Sequence, residues 1–239
     1  MSDSPTPRRT RTLTQPPVPM RLMQAPIAHG LVVPFITLAH RDRSQPVWGA
    51  LDPVRRLHAF IRKLCQVCGE PLQVYGEPFG DRVVLYLRPS DYLRGIAVEP
   101  GVHPECGRYS QRACPTLAGR SSRYNPASLG ERLTRCADPD CGCTRWAVTE
   151  DPAEKPSREG QPAEAWYEAW LALSDYTVVS DPGDDTTAPA FGVDIRNASL
   201  LKLRKIRDAT LTDTGDRPMD LLAALIAARE LFGDASHFW

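Results

Sequence analysis

The chain has 239 residues, 42% of them hydrophobic, and its 29 basic side chains equal its 29 acidic ones. This length allows one large domain or two small ones with a sizeable core, and 23 prolines predict a loop-rich fold with short elements. The longest mostly apolar run, residues 31–39, is interrupted by Pro34 and is far shorter than the roughly 20 residues that span a bilayer.

The first 20 residues contain five prolines together with Ser, Thr and Arg, and few side chains that could be buried. This composition predicts a disordered tail. Arginines near the N-terminus are followed by prolines and not by the apolar run of a signal peptide. We therefore expect a cytoplasmic protein with no membrane partner.

Residues 31–38 predict one or two short strands, and the segment from Asp52 to Leu64 predicts an amphipathic helix. Asp52 is a good N-cap, and Pro53 suits the first helical position. The apolar residues at three- and four-residue steps predict its buried face: Val54, Leu57, Phe60, Ile61 and Leu64. Residues 82–88 then predict a strand, and residues 105–113 a short helix.

The second half of the chain has fewer clear signals. A weak helix is predicted at 128–133, and a linker rich in Pro, Glu, Gly and Ser at 150–163. Trp166 and Trp170 lie four residues apart and favour a helix over 163–173. Residues 176–179 predict a short strand. A final helix is predicted from Met219 to Leu231 and is apolar enough to pack on the body of the protein.

Seven cysteines in a reducing compartment favour metal binding over disulfides. Cys65 and Cys68 form a C-x2-C pair followed by Gly69, and His103 and Cys106 repeat the two-residue spacing just before a predicted helix. Two such pairs supply the four ligands of a tetrahedral Zn²⁺ site, for which Cys3His is a common set. The order along the chain is a knuckle, a hairpin and then a helix that carries the last two ligands. This order predicts a treble-clef arrangement. The alternative is two core thiols and a surface histidine.

These motifs resemble a known family. The run from Leu64 to Leu72, the later pair His103 and Cys106, and Cys114-Pro115 are similar to an actinobacterial family of small Cys-rich, zinc-finger-like proteins. The resemblance covers roughly residues 31–120, and it implies a zinc-binding domain but no particular activity. The chain departs from the family pattern at His103, where a Cys is expected.

The four remaining cysteines could form a second metal site. Cys114, Cys136, Cys141 and Cys143 complete a second set of four ligands, which would close the Arg-rich loop 115–135 at both ends. The alternatives are a buried thiol at Cys114 and free thiols at the others, or, less favoured by the spacing, an iron–sulfur cluster.

Catalysis is the less favoured function. A zinc-supported nuclease needs a histidine base near the hairpin, and residues 69–102 contain no histidine and no asparagine. A catalytic zinc keeps one coordination position open, whereas the first predicted site has four protein ligands. An enzyme with a catalytic Cys or zinc remains an alternative, without predicted catalytic residues.

Charge is unevenly distributed, which favours a binding function. Residues 1–149 carry 20 basic and 12 acidic side chains, net +8, and residues 150–239 carry 9 and 17, net −8. Arg side chains interleaved with aromatic rings suit phosphate contacts and base stacking. The candidate nucleic-acid contacts are Arg108, Arg112, Arg120, Arg123, Arg132, Arg135, Arg145, Tyr109, Tyr124 and Trp146. The alternative is a basic face that docks on the acidic segment 150–185.

The sequence therefore predicts an α+β protein with a loop-rich, treble-clef-like zinc-stabilised core and a helical C-terminal part. The predicted units are a tail at 1–20, a basic Cys-rich domain at 21–149, the linker at 150–163 and an acidic, mostly helical region at 164–239. The predicted function is that of a zinc-stabilised binding or scaffolding protein whose partner is a protein complex. The first alternative is nucleic-acid binding.

Overall fold

The computed structural model describes residues 15–127, 136–143, 160–183, 189–211 and 222–223. Its helices are α1 (Pro53–Ile61), α2 (Pro89–Arg94) and α3 (Pro104–Ala113). Its strands are β1 (Ile27–Ala28), β2 (Leu31–Val32), β3 (Thr37–Ala39), β4 (Pro46–Leu51), β5 (Arg82–Leu87), β6 (Ile96–Ala97), β7 (Trp166–Ala172), β8 (Val178–Asp181), β9 (Ala190–Asp194) and β10 (Leu200–Arg207). The α+β class is thus confirmed.

An antiparallel sheet in the order β10-β7-β5 forms the centre of the fold. Its middle strand β7 occupies the stretch 163–173 that was predicted to be a helix, so that prediction is wrong. Five of its seven residues are buried, including four in succession from Trp166 to Ala169, and a strand covered on both faces shows no strict alternation of apolar and polar residues. Aromatic residues also fit a pleated sheet well, and pairing on both edges outweighs the i, i+4 spacing of the two tryptophans.

The smaller sheets complete the fold. A second three-stranded antiparallel sheet has the order β6-β9-β8, and β1–β2 and β3–β4 form separate two-stranded pairs. Strands from either side of the predicted linker therefore pair with one another, β7 with β5 and β9 with β6. Among the described residues, 160–183 and 189–211 are mainly strands, and not the mostly helical region that was predicted.

Two hydrophobic clusters of different size lie under these sheets. The main core includes Phe60, Leu85, Tyr167 and Tyr176 and joins both three-stranded sheets to α3. A small satellite core contains Leu38, Val47 and Ala50 of the β3–β4 hairpin together with Cys141 and Cys143. No helix among the described residues is long and apolar enough to cross a membrane.

Helix α1 begins as predicted but buries a different face. The Asp52 carboxylate accepts hydrogen bonds from the N–H groups of Val54 and Arg55, both at 3.0 Å. Phe60 is buried, but Val54, Leu57 and Ile61 are 63%, 41% and 64% exposed. Arg56 is buried instead: its guanidinium donates to the Val98 carbonyl and lies against the rings of Phe60 and Phe191. The predicted apolar face is thus wrong at its outer positions.

Other predicted elements are present or lie outside the described residues. The strand at 82–88, the helix at 105–113 and the strand near 176–179 are present as β5, α3 and β8. The helix at 128–133, residues 1–14 of the tail and most of the linker lie outside the described residues. Of the predicted final helix only residues 222–223 are described, as helical, and Leu222 is buried in the main core.

Candidate metal centres

The structure brings together the four residues of the first predicted site, here called cluster 1: Cys65, Cys68, His103 and Cys106. Their ligand atoms all lie within 4.8 Å of one another, and all except Cys68 are almost fully buried. The His103 Nδ1 atom is 3.4 Å from the Cys68 sulfur and 3.9 Å from the Cys106 sulfur.

The first pair of ligands lies on a tight knuckle. An antiparallel bridge joins Leu64 to Pro71, and the N–H of Cys65 donates to the Glu70 carbonyl at 2.8 Å. Gly69 closes the turn with a φ of +79°, a region that favours glycine. A Cβ at this position would also lie 2.8 Å from the Phe35 ring, so both the turn and the packing require glycine here.

The second pair comes from the start of α3. His103 is its N-cap residue and Cys106 lies in its first turn, so the two-residue spacing places both side chains on the same side of the helix start. Just before the helix, Val102 pairs with Val84 of β5 through two hydrogen bonds of 2.9 and 3.0 Å. The main sheet therefore fixes the position of the helix that carries these ligands.

A hydrogen bond orients the His103 ring for metal binding. Its Nε2 lies 2.9 Å from the Pro71 carbonyl oxygen, which can only accept, so Nε2 carries the proton. Nδ1 is then the unprotonated nitrogen and faces the three sulfurs. A hydrogen bond from the other ring nitrogen to a carbonyl, which fixes the orientation and the tautomer of the ring, is usual for a metal-binding histidine.

The sulfur of Cys65 lies in an environment that favours its thiolate. Burial acts to raise its pKa, but hydrogen bonds from Cys106, Cys68 and backbone N–H groups leave the pKa well below the usual value. The hydrogen bond to Cys65 raises the pKa of Cys106. A bound cation would displace the protons of these thiols because it binds the sulfurs as thiolates.

A second set of ligands, here called cluster 2, consists of His40, Cys136, Cys141 and Cys143, whose ligand atoms also lie within 4.8 Å of one another. His40 follows strand β3, and its Nδ1 is 3.6 Å from the Cys141 sulfur. The sulfurs of Cys136 and Cys143 are 3.7 Å apart. The hydrogen bond to His40 lowers the pKa of Cys141 to about 6. Burial and the neighbouring thiols raise the pKa of Cys136 to about 11.

Three of the four residues predicted for this second site are present, and His40 replaces Cys114. Cys114 ends α3, where its N–H donates to the Ser110 carbonyl, and burial raises the pKa of its thiol. It is a partly buried thiol outside both clusters, which is close to the alternative of a buried thiol that the sequence left open. Cluster 2 therefore does not close the loop 115–135 at both ends; it attaches residues 136–143 to the end of the β3–β4 hairpin.

Both clusters could hold a metal ion, and the ligand types are consistent with zinc. Three cysteines and one histidine offer soft thiolates and one imidazole, a set typical of structural Zn²⁺. Each set is complete from this chain, so no further protein ligand is needed for tetrahedral coordination.

The structure places the predicted nucleic-acid contacts in different environments. Tyr109 is buried and its hydroxyl accepts a hydrogen bond from Val32, so it cannot stack on a base. Tyr124 is partly buried and donates to Glu164, while Arg120 and Arg123 donate to backbone carbonyls. Arg108 and Arg112 are exposed on α3. The others, Arg132, Arg135, Arg145 and Trp146, lie outside the described residues.

Comparison with known proteins gives no relative: no family model, no curated protein and no solved structure matches the chain. The resemblance to the actinobacterial Cys-rich family therefore stays an expectation.

Proposed function

We propose that the chain is a zinc-stabilised binding or scaffolding protein, with two structural zinc ions and a protein complex as its partner. The observation that carries the proposal is the complete set of four ligands in each cluster. A catalytic zinc keeps one position for water or substrate, and neither set leaves one. The ions would therefore fix the fold, and the surface would perform the function.

The local structure around cluster 1 supports a treble-clef arrangement. A knuckle at 64–71 supplies two ligands, β5 and Val102 pair behind it, and α3 begins with the other two. In this arrangement the ion joins the knuckle to the helix, and binding holds α3 against the main sheet.

The exposed face of α1 supports a protein partner. Val54, Leu57 and Ile61 follow one another at three- and four-residue steps along the helix and are all well exposed among the described residues. Such a row of apolar side chains is typical of a helix that packs against another surface. We propose that this row contacts the partner protein.

The metal part of the proposal is tested by metal analysis of protein purified without chelator. We expect two zinc ions per chain by native mass spectrometry. A content well below one ion per chain would contradict the structural role of zinc. The presence of a different metal in equal amount would contradict only the choice of ion.

The partner part needs a separate experiment. Proteins that co-purify with the tagged chain from its native host are identified, produced in pure form and titrated against it by calorimetry. We expect Val54→Glu/Ile61→Glu to weaken binding at least tenfold, because each change places a charge in an apolar contact. Arg62→Gln, on the same helix end, is the control. Equal binding by the wild type and the double variant would remove α1 from the interface.

A further inference from the structure

A basic groove runs between helix α3 and the edge strand β10. Its narrower part, of about 170 Å³, lies between Arg108 on the helix and Lys202 and Arg204 on the strand. Its wider part, of about 570 Å³, lies between Arg112 and Arg207. Gln111 borders both parts, so they lie next to each other along the helix.

The groove carries a clear excess of positive charge. Five cationic side chains line it, namely Arg108, Arg112, Lys202, Arg204 and Arg207, against the two carboxylates Glu168 and Asp208, which gives a net charge of +3. Part of this charge comes from β10, which belongs to the half of the chain with a net negative charge. The fold thus adds three strand cations to the two helix arginines that the sequence had indicated.

The cations are held in different ways. Arg108 and Arg112 lie one helical turn apart, are exposed, and have no hydrogen bond or ion pair among the residues that the structure describes. Lys202 and Arg204 both contact one oxygen of Glu168, at 3.0 and 2.9 Å. Because Glu168 is almost fully buried beneath them, it holds both strand cations at the groove wall. Its hydrogen bonds from Arg204, Lys202 and Gln111 outweigh the effect of burial and lower its pKa to about 2, so it stays ionised.

The groove also offers apolar and aromatic surface. Trp170 lines the narrow part beside Lys202, whose ammonium lies 5.2 Å from the indole ring. The Trp170 Nε1 atom is buried and has no hydrogen-bond acceptor among the described residues, so a ligand oxygen could satisfy it. Leu117, Ala118 and Ile206 line the wide part. Each part of the groove therefore combines cationic side chains with apolar or aromatic surface.

We propose that this groove binds single-stranded nucleic acid, with phosphates between Arg108 and the β10 cations and a base in the wide part. A single strand has the alternating anionic and flat apolar groups that this wall presents. Cluster 1 contributes to this site because His103 and Cys106 fix the start of the same helix. A rigid helix wall loses little entropy on binding.

The test is fluorescence anisotropy of a labelled 12-nucleotide single strand of mixed sequence with the zinc-loaded full chain over a range of salt concentrations. Each phosphate contact contributes roughly 0.7 to the slope of log affinity against log salt. We expect Arg108→Gln/Arg112→Gln to lower the slope by about 1.4 and to weaken binding at low salt. Arg62→Gln, an exposed arginine on α1, should change the slope by much less.

A second variant distinguishes ligand binding from a purely structural role. Glu168→Gln keeps a hydrogen-bond acceptor beneath Lys202 and Arg204 but removes the negative charge that competes with phosphate, so binding should become about fivefold tighter. If Glu168 had only a role in stability, Glu168→Gln would bind the single strand as tightly as the wild type or more weakly. Either result would contradict the proposed groove. Native mass spectrometry should still show the zinc content of the wild type in these variants, so the result does not depend on the metal proposal.

Three outcomes would overturn the assignment. One is an absence of binding at low salt, and another is a salt slope that Arg108→Gln/Arg112→Gln leaves unchanged. The third is equal competition by an acidic peptide or by a 5′-mononucleotide at the same concentration. Equal competition by the acidic peptide would indicate a protein ligand. Equal competition by the mononucleotide would indicate a site for one nucleotide and not for an extended strand.

Discussion

Cluster 1 lies within the main core, whereas cluster 2 lies at the end of the β3–β4 hairpin beside a small satellite core. Cys65 and Cys106 are completely buried among side chains of the central sheet. Cys136 of cluster 2 is only partly buried, and the pairs of Arg41 with Asp138 and Asp140 next to it are exposed. The two clusters have the same ligand types in very different surroundings.

This difference indicates two roles for the same chemistry. The residues of cluster 1 come from the knuckle and from the start of α3, which lies beside the central sheet, so we expect the fold of the described core to depend on its ion. Cluster 2 attaches eight described residues, 136–143, to one hairpin and has few other contacts to replace it. We therefore expect loss of the first ion to affect the whole molecule and loss of the second to affect one region.

The largest expected effect is that of Cys106→Ser. A structural zinc contributes on the order of 10 kcal/mol of folding free energy, as much as the whole stability of many domains. We expect the variant to lose one zinc and its cooperative thermal transition, measured by metal analysis and circular dichroism. Cys114→Ser is the matched control, since Cys114 is a partly buried thiol at the C-terminal end of α3 and belongs to neither cluster. A cooperative melt in Cys106→Ser close to that of the wild type would mean that cluster 1 is not essential to the core.

A smaller and local effect is expected for Cys141→Ser/Cys143→Ser. Native mass spectrometry should show two zinc ions in the wild type and in Cys114→Ser, and one in this variant. Amide hydrogen exchange should become faster in β3 and β4 and stay slow in β5 and β7, because no residue of the main core is a ligand of cluster 2. Faster exchange throughout the central sheet would show that the two clusters act as one cooperative unit.

The contrast between the clusters also explains what the sequence could predict. Cys65 and Cys68, like His103 and Cys106, are ligand pairs within one turn, and local spacing is visible in a sequence. Cys141 and Cys143 are visible for the same reason. His40 lies almost 100 residues before its partners and follows a strand, so nothing near it indicates a ligand. The even division of the remaining cysteines favours Cys114, which is a partly buried thiol outside both clusters.

The wrong predictions about the fold have a similar origin. The N-cap and the periodicity of the apolar residues predict helix α1. Which of its faces is buried depends on tertiary contacts, and a pattern of apolar residues cannot indicate that Arg56 is buried. The i, i+4 spacing of Trp166 and Trp170 predicts a helix where strand β7 lies. Its pairing with β5 on one side and β10 on the other decides its conformation, and both partners are far away in the sequence.

The order of metal loss should follow the same comparison. With a zinc chelator added in steps, we expect the ion of cluster 2 to leave first, because Cys136 is accessible and its surroundings are small. Native mass spectrometry should pass through a one-zinc species in which thiol alkylation is confined to Cys136, Cys141 and Cys143. Labelling of Cys65 and Cys68 in that species, with cluster 2 still protected, would reverse the order.

The smallest expected effect concerns the choice of ligand at one position, His103→Cys. A fourth thiolate is a good zinc ligand, so cluster 1 should keep its ion and the chain should fold. The variant loses the hydrogen bond from Nε2 to the Pro71 carbonyl, which contributes on the order of 1 kcal/mol. For a chain of this size that corresponds to a fall in Tm of about 2–4 °C. His103→Ala separates the two contributions, because it removes the ligand as well as the hydrogen bond and should resemble Cys106→Ser. A Tm of His103→Cys as low as that of His103→Ala would mean that the orienting bond, and not only the fourth ligand, is essential to cluster 1.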